Sequence, residues 1–239
     1  MRCFGAMSTE RTTSGDGRRR RWDQHNADRR RQVIAAALDV LERGVHPGEW
    51  VTAQQIADEA RIHRTGIYRY FADRADLDVA IQRTICEQLE HTLTASVTLE
   101  GLPRSVVQRV VDSYVRWVVA HPTWTYVIEQ NVTGSSESPL QSTIARVAEK
   151  IEVAVGGFLA LVDADLGDDD LRLVGPWVSS LISGCVGAVR TWRAQEDSVD
   201  LDTFAAFLAD TIWLQITGLG ASRGITIPNV PLERVLDGP

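Results

Sequence analysis

Between Thr52 and Arg74 the sequence reads TAQQIADEARIHRTGIYRYFADR, and it gathers side chains suited to an anion: the guanidinium groups of Arg64, Arg69 and Arg74 and the hydroxyls of Thr65, Tyr68 and Tyr70. The chemistry they offer is recognition rather than bond-making, because such donors bind phosphate oxygens and base edges. Ile56, Ala57 and Ala60 make the apolar side of one short helix that Thr52 can cap; Ile67 and Phe71, four apart, join Ile62 on the inner side of a second. Two short helices joined by a tight turn match the helix-turn-helix, whose second helix fits the major groove of duplex DNA. In that geometry Arg64, Thr65 and Gly66 arrive first, at the positive end of the helix dipole, and Gly66, lacking a side chain, permits close approach. Tyr68 and Tyr70 then donate to phosphates, and Arg74 neutralises one. The competing reading is an ordinary helical hairpin with a solvated face.

Groups able to do covalent or metal chemistry are not arranged for it. His25, His46, His63, His91 and His121 are scattered, and no His-x-x-x-His or Cys-x-x-Cys spacing for zinc occurs. No Gly-x-Gly-x-x-Gly or Gly-Lys-Ser/Thr phosphate loop is present. In the run DADLGDDD, Gly167 and Asp168 are out of register with a calcium loop and Val174 stands where its bidentate glutamate belongs, so the run reads as an acidic helix start. Cys3, Cys86 and Cys185 are far apart and odd in number, as reduced thiols are. The expectation is a protein that is not an enzyme, with no catalytic residues, no cofactor and no metal.

The elements that position the charged segment follow from composition and period. The chain of 239 residues is 44% hydrophobic and 24% charged, an ordinary globular composition. Its net charge of -7 divides unevenly: residues 1–72 hold 13 arginines against 9 acidic residues, net +4, and residues 73–239 hold 12 basic against 23 acidic, net -11. A basic head on an acidic body points to a polyanion met by the head alone. The longest uncharged run, 173–189, is short for a membrane span and contains Pro176, and the first residues hold no apolar stretch of leader length. A cytoplasmic protein without membrane contact is expected.

Residues 1–25, with Arg18 to Arg21, read as a disordered basic arm. A first helix, capped by Asn26 or Asp28 and ended at Gly44, carries Ile34, Ala37, Leu38 and Leu41 on one stripe; with the two short helices it makes a DNA-binding head over 26–74. Over 75–222 every assignable segment is helical: a fourth helix from about Asp76, a fifth from Pro103 that is apolar around most of its circumference, a sixth after His121-Pro122, a seventh from Ser138-Pro139, an eighth over about Asp169 to Ala194 and a ninth capped by Asp200. Residues 223–239 read as an irregular tail. The fold class is all-α.

From Thr52 to Leu77, with Ile56-Ala57 in the second helix and GIYRYFADRADL ending the third, the sequence resembles the DNA-binding signature of the TetR family of transcriptional regulators. The resemblance implies an all-helical homodimer: an N-terminal three-helix head with the helix-turn-helix, and a larger C-terminal helical body for ligand binding and dimerisation through its last two long helices. It implies that Gln54, Arg64, Thr65 and Gly66 reach bases and that Thr52, Tyr68, Tyr70 and Arg74 hold the DNA backbone. Arg61 departs from the family's usual turn glycine and His63 from its small capping serine; His63 either caps the helix through its ring or touches a phosphate. In the body, Trp117, Trp124, Tyr126 and Trp177, with Arg116, Glu129 and Asn131 as the nearest polar groups, form an expected pocket for a small, mostly apolar effector; packed solidly, the same rings are core. Ser183, Gly184, Gly187 and Ala188 offer a small-residue surface to the bulk of Phe204, Phe207, Leu208 and Trp213 at the dimer seam. The expected function is a ligand-responsive DNA-binding regulator, a repressor, on a palindromic double-stranded operator. The alternatives are a helical small-molecule-binding protein or enzyme with an incidental basic arm, and a nonspecific nucleoid-type binder.

Overall fold

Helix α1 (Thr13–Glu42) is the longest element of the head, and it begins well before the expected cap at Asn26 or Asp28. The structure, a computed structural model, describes residues 13–44, 51–98, 100–130, 138–161, 164 and 166–236, and every regular element among them is a helix. Residues 13–25, expected to be a disordered arm, are therefore helical, whereas 1–12 lie outside the described residues. Once the packed part of α1 exists, each added residue gains a backbone hydrogen bond without a new nucleation cost, and arginine is among the better helix formers. Asp28 is then interior and pairs with Arg31 one turn on. The buried stripe is Val33, Ala37 and Leu41, with Ala36 and Leu38 beside it, and Ile34 is only half-buried. Gly44, at φ +90°, ends the helix as expected.

Two compact units divide within helix α4 (Arg74–Ser96), after Ile81. In the first, α1 packs on α2 (Ala53–Glu59) and α2 on α3 (Arg64–Ile67). Val33, Ala37, Leu41, Ile56, Ala57, Ile67, Phe71 and Leu77 close the core of this head. Arg30 fastens it: its guanidinium lies 4.2 Å from the Phe71 ring centroid, donates to the Tyr70 carbonyl at 2.8 Å and pairs with Asp76 at 2.9 Å. Asp73 accepts from the Asp76 N–H at 2.8 Å, so α4 is capped three residues before the Asp76 start read from the sequence.

The second unit holds the rest of α4 with α5 (Pro103–Ala120), α6 (Pro122–Glu129), α7 (Pro139–Leu161), α8 (Asp168–Arg193), α9 (Leu201–Ala221) and the short α10 (Leu232–Leu236). Its two main pairings are α5 with α9 and α7 with α8. Arg104 to Asp210 at 2.5 Å and Arg116 to Asp202 at 2.6 Å stitch α5 to α9, while Glu90 of α4 takes Arg146 at 2.9 Å and Lys150 at 2.6 Å from α7. Helix α5 is less enclosed than its apolar circumference suggests: Val111, Val115, Trp117 and Val118 are buried, but Val106, Val107 and Val110 are only half-buried, because α9 covers one side. Phe204 and Leu208, expected at a dimer seam, are buried instead, Phe204 stacked on Trp192 at 4.5 Å. The tail is not irregular throughout: α10 forms, Leu232 is buried, its N–H donates to Gly101 O at 2.9 Å, and the Gly101 N–H donates to Glu233 at 2.9 Å.

Gln82 is the one polar side chain of α4 sunk almost completely into this unit while reaching another helix end: its Nε2 donates to the carbonyls of Val127 at 2.7 Å and Gln130 at 2.8 Å, where α6 runs out of intrahelical partners. Gln82→Leu keeps the volume but takes the side-chain donor from the Gln130 carbonyl and leaves Val127 O with the Gln130 N–H at 3.3 Å, so stability is expected to fall by about 2 kcal/mol. A urea midpoint equal to that of the wild type would show that the α6 end is satisfied some other way.

Candidate nucleic-acid interface

Both helices of the pair are too short to hold themselves, and each is fixed by its ends. Thr52 closes a reciprocal box at the start of α2: its Oγ1 accepts from the Gln55 N–H at 3.2 Å, and Gln55 Oε1 accepts from the Thr52 N–H at 2.8 Å. The end of α2 is a Schellman turn, with the Ile62 N–H on Ala57 O at 3.0 Å and the Arg61 N–H on Asp58 O at 3.2 Å. Arg61 occupies the left-handed position of that turn, at φ +54°. His63 serves as the cap: in extended backbone, its Nδ1 accepts from the Thr65 N–H at 3.4 Å and lies 2.9 Å from Thr65 Oγ1, while the exposed ring keeps its Nε2 for the phosphate expected of it.

Helix α3 is a single turn continued by looser turns, with the Tyr70 and Phe71 N–H groups both on Ile67 O. Ile67 and Phe71 are buried and Ile62 half-buried, which points the opposite side outward. Arg64, Thr65 and Arg69 are exposed, Tyr68 is 41% exposed and Tyr70 half-buried. A side chain built onto Gly66 would meet nothing within 4 Å, so this face is open for close approach. Gln54 is exposed on α2, its amide resting on Asp58 at 2.7 Å.

Partnering separates the arginines of the head. Arg29, Arg30, Arg31, Arg43 and Arg74 are each engaged within it. Among its described side chains the arginines without a hydrogen-bond or ion-pair partner are Arg61, Arg64 and Arg69, all within nine residues of the turn and α3. Arg74 corrects the expectation of a free phosphate neutraliser: its Nε donates to Asp78 at 2.8 Å and its Nη2 to Val51 O at 2.6 Å, stapling the start of α4 to the approach to α2. Burial nevertheless pushes the Asp78 carboxyl above its ordinary value, because the hydrogen bond and charge of Arg74 only partly offset desolvation.

The expected effector pocket fares differently. Trp117 and Trp124 do come together, with centroids 6.3 Å apart, but His121 stacks on Trp124 at 4.4 Å and the rings pack on one another as buried core. Arg116 lies on the surface between Asp112 and Asp202 rather than facing inward, which removes it from the pocket. Tyr126, Glu129 and Trp177 are half-buried, and Asn131 lies outside the described residues. Two signals escaped the sequence reading. The Trp124 Nε1 donor is buried without a hydrogen-bond partner. Tyr114 of α5 is so enclosed that desolvation, with smaller effects of Cys185 and Glu129, drives its hydroxyl well above its ordinary value, against Arg193. Tyr114 was legible only as part of an apolar helix.

The described residues, all-helical in their regular elements and with a head that presents a capped one-turn helix with unpartnered arginines, have the fold of TetR-type regulators. No established family profile matches the chain. It is 24% identical over 218 residues to an uncharacterized HTH-type transcriptional regulator of Mycobacterium tuberculosis, a match covering 89% of this chain and 88% of that one. A TetR-family transcriptional regulator from Streptomyces coelicolor superposes with a TM-score of 0.60 at 20% identity over 88% of this chain and 89% of that one. RolR in complex with resorcinol superposes with a TM-score of 0.58 at 17% identity over 87% and 99%. The resemblance read from the helix-turn-helix residues thus extends over most of the chain.

Arg64 and Arg74 should now fail in different ways. Arg64→Ala is expected to leave the melting temperature unchanged and to narrow the gap between preferred and random duplexes by about 1–3 kcal/mol if it makes a bidentate base contact. Arg74→Ala is expected to destabilise the head by about 1–3 kcal/mol through the lost staple. Melting and duplex titration of both variants decide the matter, and an Arg74→Ala protein that melts like the wild type contradicts the assignment.

Proposed function

We propose that this chain is a ligand-responsive transcriptional repressor that binds a near-palindromic operator as a homodimer in the cytoplasm. The observation that carries the reading is the coincidence, on α3 and the turns flanking it, of an open glycine with the unpartnered arginines of the head. Residues 26–74 act as the DNA-binding domain, Arg64, Thr65, Gly66 and Gln54 reading bases and Thr52, Tyr68 and Tyr70 holding phosphates. Residues 75–222 bind effector and the second protomer. The basic run Arg18 to Arg21 adds affinity along the phosphate backbone rather than specificity.

Dimerisation through α8 and α9 is supported by what the single chain leaves uncovered. Phe207 is 67% and Leu214 69% exposed on α9, and Ser180, Ser183 and Gly184 are exposed on α8. The effector is small and mostly apolar, and to reach Trp117 and Trp124 it has to part the packed rings. The orphan indole N–H of Trp124 favours one that carries a hydrogen-bond acceptor. RolR, of the same fold, was solved with resorcinol, a ligand of that general kind. Release from the operator is a population shift, limited by the effector's differential affinity for the DNA-incompetent state.

Selection of bound duplexes from a random pool by the full-length chain is expected to recover an inverted repeat, its half-sites about one helical turn or a multiple apart. Enrichment of a single unrepeated motif, or none, would sink the operator reading. Gly187→Arg is expected to sediment as a monomer and to bind the repeat without cooperativity. A side chain at Gly187 meets nothing within 4 Å in the single chain, so the variant should still fold. A dimeric Gly187→Arg protein places the interface elsewhere.

A further inference from the structure

We propose that Arg61, in the turn between α2 and α3, is a phosphate anchor for the duplex, additional to the contacts assigned above. The inference rests on the head binding duplex DNA and adds a residue that the helix-turn-helix pattern leaves to glycine. Three observations carry it. The turn is a complete Schellman motif, and its geometry demands a left-handed residue where Arg61 sits, at φ +54°. Any side chain there crowds the backbone, so the fold alone favours glycine. The Arg61 side chain is also exposed and has no hydrogen-bond or ion-pair partner among the described residues, so it returns nothing to the head in exchange for that strain. Finally, it stands at one end of the 61–69 segment that holds the other unpartnered arginines of the head, Arg64 and Arg69, and clustering like charges costs further free energy in the absence of an anion.

Strain, exposure and self-repulsion are all offset if the guanidinium meets a polyanion. When a second helix enters the major groove, the first crosses the sugar-phosphate backbone, and the turn joining them is carried to the groove's edge, where phosphates rather than bases are within reach. A phosphate contact made from a rigid turn positions the head without reading sequence.

The test is the salt dependence of binding to a fluorescein-labelled mixed-sequence duplex, measured with full-length wild type, Arg61→Lys, Arg61→Gln and Arg61→Gly, beside their melting temperatures. Loss of one phosphate contact per head should lower the slope of log affinity against log salt by about 0.9 for each head bound. Arg61→Gln, which keeps the strain and drops the charge, and Arg61→Gly, which drops both, should flatten the slope alike, while Arg61→Lys keeps it. Arg61→Gly should in addition melt several degrees higher than wild type. Slopes for the Gln and Gly variants equal to a binding wild type's would overturn the anchor, and so would an Arg61→Lys protein as flat as Arg61→Gly. A wild type that binds no duplex at low salt would overturn the DNA reading itself.

Discussion

A helix of four residues cannot exist alone, because its nucleation cost exceeds what one turn of hydrogen bonds returns. Everything distinctive in the head follows from holding α3 in place without using its outward side. Ile67 and Phe71 anchor it from beneath, His63 closes its first turn, and Arg30 grips the Tyr70 carbonyl just beyond it while lying over the Phe71 ring. The same guanidinium binds Asp76, whose carboxylate also accepts from the Ala72 N–H. One half-buried cation thus sets where α3 stops and α4 starts, and between them Tyr68 and Arg69 are left facing solvent. The division of arginines into fasteners and free cations is the physical form of the basic head.

The body solves a different problem, that of pairing long helices whose apolar surface exceeds what one chain can cover. Helices α5 with α9 and α7 with α8 make the two main contacts, and α4 joins the set both by buried Ile85, Cys86 and Leu89 and by polar groups: Gln82 to the end of α6, Glu90 to Arg146 and Lys150 of α7. Lys150 and Arg146 hold the Glu90 carboxyl below its ordinary value, Lys150 through the larger hydrogen-bond effect. Such polar ties are directional where side-chain packing is not, which suits a helix shared by two compact units.

Local signals carried most of what was legible in the sequence. Thr52, Gly44, Asp200 and Pro103 each act through neighbours within a few residues, and each marks its helix end where expected. The inward pair Ile67 and Phe71 was equally local. What the sequence did not disclose required partners distant in the chain: Arg74 looks like a free cation until Val51 and Asp78 come beside it, and Arg116 looks inward until Asp202 is placed across from it. Phe204 and Phe207 are three apart on one helix and equally apolar, yet one meets Trp192 and the other meets solvent. Burial among rings likewise separates a tryptophan that lines a site from one that fills a core. The long start of α1 failed for another reason, since an arginine run has no periodicity and its helix is an extension of packing that lies further along.

Helices α8 and α9 are long and apolar enough to cross a membrane by composition, and the placement of their charges argues for a protein neighbour instead. Along one side α9 carries Asp202 and Asp210, ion-paired to Arg116 and Arg104 of α5, so that side is fastened to a charged helix and is not available to lipid. Only the side bearing Phe207 and Leu214 is left, a strip one helix wide. On α8 the positions left uncovered include Ser180, Ser183 and Gly184, whose small side chains let another backbone come near. Bulk on one helix and shallow relief on the other are the complementary halves of a ridge and a groove. Two such strips related by a twofold axis would cover each other, because each protomer brings both halves of the fit.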